Sequence, residues 1–415
     1  MRILHTSDWH LGRHLHGYSL HEAQTAAVDQ IVSYAIAEKV DAFIVAGDVF
    51  DRAFPPVESI RLLNSALTRL HSAGIHSIIT AGNHDSGERI AANSNLLQTT
   101  VSIIGDLSRI GSPIELSDEH GPVLVYALPY LSPDLARLEL GTPENPIDRS
   151  HEAVANAAMD RINADIEKRA EVLGSRPRTI VVAHAFVAPA LVGESNPDEF
   201  IEAGMVISNS EKDLTIGGIQ IIPTDVFAGI NYVALGHLHG AQVVPFKIDR
   251  QSHARYSGSL LRYSLSEINH NKSFVVIDLD ASGIVSDENV QKIAIEQPRP
   301  MTKLEGSLDY LTSSATEPHR DSYVYCAVTD LEFPADMNSR LNNLFPYLLQ
   351  ARHVPEGRNE ARHNELKRVD AKELKPEEVA ESFQERMTNV PPTPAELAIW
   401  QDVIEKVREN MDAVK

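Results

Sequence analysis

The sequence predicts an α/β protein: two layered sheets with helices outside, then a small α+β capping module and a C-terminal helical pair. Three observations support this. From residue 1 to about 190, short β-branched runs alternate with helical stretches, the pattern of buried strands joined by helices. A strand-rich stretch, Val243 to Ile293, follows and is expected to complete a second sheet. Gln297-Pro298-Arg299-Pro300 then breaks the pattern and marks a boundary.

In chain order, Ile3 to Thr6 reads as a strand and Leu20 to Glu38 as a helix with apolar spacing near three and four. Ala42 to Val45 is a strand, Val57 to Leu70 a helix (Ile60, Leu63, Leu67, Leu70), and Ser77 to Thr80 a strand. His151 to Leu173 is a long helix, and Thr179 to Val182 and Tyr232 to Leu235 are strands. Residues 190–225, punctuated by Gly and Pro, read as a surface excursion. The expected domains are 1–297, a capping module at 298–355, a polar linker at 356–372 and a helical tail at 373–415. Within the module the pattern gives a helix, a strand (Tyr323 to Val328), a helix (Met337 to Leu344) and a strand (Tyr347 to Ala351). In the tail, Thr393-Pro394-Ala395-Glu396 is a helix-start signal with a capping threonine and a capping-box glutamate. Leu397, Trp400, Ile404, Val407 and Met411 then form an apolar seam, preceded by Val379, Phe383 and Met387 on an earlier helix. Two such stripes after a polar linker suggest docking onto a partner; folding back onto the preceding domain is the other reading.

The 415 residues exceed a one-domain length, and 43% apolar content suffices for real cores. No run approaches the roughly 18 apolar residues of a membrane helix, and the N-terminus carries no cleavage-site pattern. A single cysteine, Cys326, excludes a stapled extracellular scaffold and fits the cytoplasm. Against 37 Lys and Arg stand 58 Asp and Glu, a net charge of −21. Such a surface repels nucleic acid at long range, which argues against a free-standing sequence-specific DNA reader but not against a metallonuclease.

The residues that carry chemistry sit where strands end: Ser7-Asp8-Trp9-His10, Gly47-Asp48-Val49-Phe50-Asp51, Gly82-Asn83-His84-Asp85, His184, and Gly236-His237-Leu238-His239. Strand ends of open α/β sheets are where ligands collect. If the chain is extended there, residues i and i+2 point the same way, so Asp-x-His and His-x-His each offer two donors to one point. Asp8, His10, Asp48, Asn83, His184, His237 and His239 make a mixed oxygen and nitrogen set. That is too many donors for one zinc and about right for two ions sharing a carboxylate, for which Asp48 is the natural bridge. Imidazole with carboxylate suits Mn or Fe better than Mg. Two such ions about 3.5–4 Å apart support in-line displacement at phosphorus. His14 and His16 are further candidates for substrate contact, and Arg52 for contact with a phosphate, with a solvated loop residue as the alternative. His71, His76, His151, His253, His270, His319, His353 and His363 have no partner motif.

In this order the five motifs resemble the calcineurin-like metallophosphoesterase superfamily. More narrowly, the chain resembles the SbcD-type nucleases, bacterial counterparts of the Mre-type DNA-repair nucleases. That match rests on Ser7 to Arg13, Leu15-His16-Gly17, Gly47 to Asp51, Ala234 to Gly240 and Tyr256-Ser257-Gly258-Ser259-Leu260-Leu261-Arg262-Tyr263-Ser264. Metal binding does not explain the last of these. The resemblance implies a two-sheet metallophosphoesterase sandwich. It implies one metal held by Asp8, His10, Asp48 and His239, and another by Asp48, Asn83, His184 and His237. It implies that His84 faces the scissile phosphate and helps the leaving oxygen depart. It further implies Mn²⁺, an SbcC-type coiled-coil ATPase partner, and action on double-stranded DNA ends and hairpins. A homodimer is implied too, here through helices at 57–70 and 88–98, for which core packing is the alternative. Archaeal and eukaryotic members carry histidine where this chain has Asp51, whereas the phosphatase branch has aspartate. Asp51 is therefore expected to reach the His84 ring and stabilise its protonated form, with a solvated loop carboxylate as the alternative.

Two other functions fit part of the sequence: a small-substrate metallophosphoesterase (cyclic-nucleotide phosphodiesterase or phosphatase) and a noncatalytic scaffold that tethers DNA ends. The module and tail weigh against the first, and seven metal donors weigh against the second. No Gly-x-x-x-x-Gly-Lys-Ser/Thr run is present, so ATP dependence has to come from a partner.

Overall fold

Alternation of side chains within each strand sets the layering. The structure, a computed structural model, describes residues 1–96, 100–189, 205, 221–249, 251–355, 393, 396–400 and 403–404. In the strands Arg2–Thr6 and Ala42–Ala46, Ile3, Ala42, Ile44 and Ala46 face one way and Leu4, Phe43 and Val45 the other. The first set meets Val125, Ile180, Val182 and Ala234 of a second sheet. The other set packs against Ile31 and Val32 of the helix His21–Ala37 and Leu63 and Leu70 of the helix Val57–Ser72. On the outer side of the second sheet the helix His151–Leu173 buries Val154, Ala158, Ile162 and Ile166. Helix, sheet, sheet and helix follow one another, as expected. Because both faces of the inner strands are covered, apolar residues dominate their middles.

The first sheet runs Val290–Ala294, Ser273–Asp278, Arg2–Thr6, Ala42–Ala46, His76–Thr80, Val101–Ile104. The second runs Gln242–Val244, His253–Tyr256, Tyr232–Gly236, Arg178–His184, Gly121–Leu128, Ile114–Asp118. One expectation needs correction here. The Val243 to Ile293 stretch does not serve one sheet: its last two strands return to the first, with Arg2 opposite Asp278 and His5 opposite Val275, antiparallel. Both sheets are equally apolar, so composition cannot tell a strand which one to join. The described part of the 88–98 region, residues 88–96, also departs from one continuous helix, with a short turn of helix at Gly87–Ile90 and a 3₁₀ turn at Ser94–Leu96. Its Asn and Ser side chains compete with helical hydrogen bonds.

The capping module has three parallel strands, Met301–Gly306, Tyr323–Val328 and Leu348–His353, with helices Leu308–Leu311 and Met337–Leu344 between them. The first of these strands is absent from the expected order of helix, strand, helix and strand. Met301 and Leu304, three apart, are both buried, yet the backbone pairs with Tyr323–Val328 in parallel register. Leu304, Leu311, Val324, Leu341 and Phe345 form the module's own core, while Met301, Tyr325 and Leu349 join the core of the first sheet. Residues 1–353 accordingly form one compact unit and 354–415 another. In the second unit the capping box is formed: the Thr393 N–H donates to Glu396 Oε2 (2.7 Å) and the Glu396 N–H to Thr393 Oγ1 (3.4 Å). The expected linker 356–372, the helix bearing Val379, Phe383 and Met387, and the seam residues Val407 and Met411 lie outside the described residues. Among the described residues no helix is long and apolar enough to cross a membrane.

Candidate metal centre

Two loops pair beyond the ends of their strands. The Asp8 N–H donates to Gly47 O (3.1 Å), His10 N–H to Asp48 O (2.9 Å) and Leu11 N–H to Val49 O (2.9 Å). This ladder sets Asp8 and His10 beside Asp48. It does so in a conformation that strand alternation does not describe. Asp8, His10, Asp48 and His237 have φ of +52°, +44°, +49° and +107°. Left-handed backbone at a non-glycine residue costs on the order of 1–3 kcal/mol and gathers at functional sites. The Asp-x-His donors thus converge through left-handed turns, not through extended chain. Two glycines admit this crowding. A Cβ on Gly47 would stand 2.3 Å from His184 Nδ1, and one on Gly236 would stand 1.8 Å from the Ala46 carbonyl oxygen.

All seven sequence-derived metal candidates come together. Asp48 Oδ2 lies 3.6 Å from His10 Nε2 and 3.4 Å from His184 Nε2. On one side His10 Nε2 is 3.2 Å from His239 Nε2. On the other, Asn83 Oδ1 is 3.0 Å from His184 Nε2 and 3.1 Å from His237 Nδ1. The Asp8 carboxylate accepts from Ser7 Oγ (2.5 Å) and from the His237 N–H (3.0 Å). Asp8, His10, Asp48 and His184 are buried.

The donor chemistry fits cations. His184 Nδ1 is 2.9 Å from the Ala46 carbonyl, so that nitrogen donates, and in the neutral ring Nε2 turns a lone pair on two acceptors, Asn83 Oδ1 and Asp48 Oδ2. His239 Nδ1 likewise faces the Glu267 carboxylate at 3.0 Å, leaving Nε2 toward His10 Nε2. Lone pairs that face one another at such distances need a proton or a cation between them. Oxygen and imidazole donors without thiolate suit divalent ions. Ligand atoms of Asp8, His10 and His239, and of Asp8, Asp48 and His184, lie within 4.8 Å of one another in each group.

In the ion-free protein, protons take part of that place. Burial raises the Asp8 carboxyl to about 6, against the pull of His184 and His239. Burial also pushes Asp48 up, but His184 and His10 outweigh it and hold Asp48 well below the usual carboxylate range. His184 rises to about 9, because Asp48 outweighs the effect of its burial. Burial, and then the charge on His184, lowers His237 to about 3. A cation held by the His184 Nε2 lone pair would require that proton to leave.

The His84 N–H donates to Asp48 Oδ1 (2.9 Å), and its Nδ1 lies 2.9 Å from the main-chain oxygen of Asp51. The expected contact from the Asp51 carboxylate is therefore corrected: the backbone carbonyl makes it. The Asp51 N–H is tied to Leu11 O (3.2 Å), and the carboxylate turns to Arg13 at 3.0 Å and to His10 Nδ1 at 3.7 Å. His16 meets the Tyr325 hydroxyl at 3.2 Å, and His14 and Arg52 are exposed. His71 meets Thr100 Oγ1 at 2.6 Å, and His363 lies outside the described residues.

Sequence reasoning assigned no role to Asp85, Gln24, Glu267 or Lys272. Asp85 accepts from the backbone N–H of Val49 (3.1 Å), Phe50 (2.9 Å) and Gly82 (2.9 Å), clamping the loops that carry Asp48 and Asn83. Gln24 Nε2 donates to the His10 carbonyl at 2.7 Å. A buried glutamine on an otherwise apolar helix face was the available signal for Gln24. Asp85→Ala would leave three N–H groups without their acceptor, at about 1–3 kcal/mol for each that stays buried. A melting temperature lowered by several degrees is expected, with loss of metal binding; an unchanged melting curve would contradict the clamp.

The family model for calcineurin-like phosphoesterases matches residues 1–241, and a model described as the type 5 capsule protein repressor C-terminal domain matches 297–388. A Staphylococcus epidermidis protein named as the SbcD component of the SbcCD nuclease is 28% identical over 94% of both chains. One of the same name from Rhodobacter capsulatus is 33% identical over 73% of this chain and 71% of its own. With its donor-bearing loops gathered at the strand ends of a two-sheet sandwich, the chain belongs to the calcineurin-like phosphoesterases and, within them, to the SbcD family of nuclease components.

Proposed function

We propose that this chain is a two-metal DNA phosphodiesterase, the nuclease component that works with an SbcC-type ATPase on double-stranded ends and hairpins. The observation that carries this reading is the pair of donor sets, Asp8–His10–His239 and Asn83–His184–His237, joined through Asp48. When bound, such ions, with Mn²⁺ as the expected metal, supply Lewis-acid polarisation of a phosphoryl oxygen and activation of the attacking water. The protein's own part is positional. Asp8 is fixed by Ser7 and the His237 N–H, Asp48 by the His84 N–H, and the His184 ring by Ala46 O. His84 spends Nδ1–H on the Asp51 carbonyl; in the imidazolium form Nε2 carries the second proton and hands that one to the leaving oxygen, returning the ring to its neutral form. Burial of Asp8, His10, Asp48 and His184 shields that part of the donor set from bulk water and strengthens the interactions made there.

The net charge of −21 disfavours DNA at long range, so a partner and the metals supply the attraction. A homodimer is proposed through the helix Val57–Ser72 and its approach, where Phe54, Val57 and Ile60 are exposed apolar side chains. Purified chain is expected to cleave a small aryl phosphodiester with Mn²⁺ alone and a DNA hairpin much faster with the ATPase. Hairpin cleavage indifferent to the ATPase would favour a small-substrate enzyme.

The tail is proposed as the partner-docking element. Deleting residues 371–415 is expected to leave the diesterase rate within about twofold while abolishing co-purification with the ATPase. Retained binding at unchanged affinity, or an unfolded product, would contradict this assignment.

A further inference from the structure

The segment Tyr256 to Ser264 is unexplained by metal ligation, yet it and the residues after it lie directly behind one half of the donor set. Ser257 Oγ is 2.9 Å from Ser7 Oγ, which in turn holds Asp8. The Tyr263 hydroxyl donates to the Trp9 carbonyl (2.5 Å), and its ring stands edge-on to His10 and His239 at 5.3 and 5.7 Å between centroids. The chain then turns through Leu265–Glu267, and Glu267 and Lys272 are both buried. Glu267 Oε1 meets His239 Nδ1 at 3.0 Å. Glu267 Oε2 accepts from Lys272 Nζ at 2.6 Å, and Lys272 also donates to the His239 carbonyl (3.0 Å) and to Ser259 Oγ (2.8 Å). One buried ion pair thus grips His239 by ring and by backbone.

The other half is built differently. His184 Nδ1 is met by a neutral main-chain oxygen, that of Ala46.

We propose that Glu267, held in place by Lys272, is a positioning residue that fixes the tautomer and direction of His239 and so sets the affinity of the Asp8–His10–His239 ion selectively. A carboxylate on Nδ1 obliges that nitrogen to carry the proton and raises the basicity of Nε2. The lysine neutralises a carboxylate that could not otherwise stay charged in that position. Its grip on the His239 carbonyl limits rotation of the loop that carries the ring. Outer-layer partners of this kind are worth about 10–100-fold in metal affinity. The proposal rests on the two-metal reading above.

The test is a Mn²⁺ titration of full-length chain, with free ion counted by electron paramagnetic resonance, for the wild type, Glu267→Gln and the double variant Glu267→Gln/Lys272→Met. The double variant leaves no unpaired buried charge, and it decides the matter if the single variant fails to fold. Expected is a stepwise curve in which one of two ions binds about 10–100-fold more weakly and the other is unchanged, with loss of the spin-coupled dimetal spectrum at low ion concentration. Unchanged affinities in a folded variant would overturn the proposal while leaving the two-metal reading intact. Equal weakening of both ions would overturn its selectivity and reduce Glu267 to general support. A wild type that binds no ion would remove the two-metal reading, and this proposal with it.

Discussion

Asp48→Ala is expected to lose both metal ions, whereas His10→Ala loses mainly one. Asp48 Oδ2 stands within 3.6 Å of His10 Nε2 and 3.4 Å of His184 Nε2, the inward nitrogens of the two halves. Removing the carboxylate also removes the negative charge that offsets several closely packed imidazoles. It frees the N–H of His84 as well, which donates to Asp48 Oδ1. The effect is chemical and structural at one point. Since the ions provide several kcal/mol of transition-state stabilisation, phosphodiester cleavage should fall by about 10³-fold or more. Metal analysis of the folded variant reads the outcome. Two ions retained in Asp48→Ala would show that the halves are held independently.

His84→Ala is expected to keep its metals and lose about 10²–10⁴-fold in cleavage of DNA. Its Nδ1 is committed to the Asp51 carbonyl, and the ring packs edge-on to His10 at 4.8 Å between centroids. The residue therefore lies beside the donor set with a second nitrogen to offer. A leaving group that needs no proton, such as nitrophenolate, should be cleaved with a much smaller deficit. Equal losses on both substrates would rule out proton donation. Asp51→Asn is expected to act weakly on this step, because its side chain contacts Arg13 and approaches His10, while the backbone oxygen that meets His84 is untouched.

The strands that carry ligands were legible because each is a short apolar run ending in a polar motif, and Arg2–Thr6, Ala42–Ala46, His76–Thr80 and Arg178–His184 are of this kind. Some of the strands beside them were not. Ile114–Asp118 is half polar, and Ser273–Asp278 joins the first sheet by a long-range pairing that periodicity does not encode. The donor residues were legible as types in order, but their convergence was credited to strand alternation, whereas left-handed turns at Asp8, His10 and Asp48 achieve it. Supporting residues were the least visible. Glu267 and Lys272 are five apart and read as ordinary surface charges, and only the fold turns them inward against His239. Asp51 illustrates the converse. Its position three residues after Asp48 was informative, but the direction of its side chain depended on a backbone ladder with Leu11.

The central claim is that one carboxylate joins two ion sites. Anomalous diffraction from Mn²⁺-loaded crystals tests it most directly. Two peaks are expected, one bounded by Asp8, His10 and His239, the other by Asn83, His184 and His237, with Asp48 touching both. A single peak, or a second one that Asp48 does not reach, would show that no shared carboxylate joins the halves.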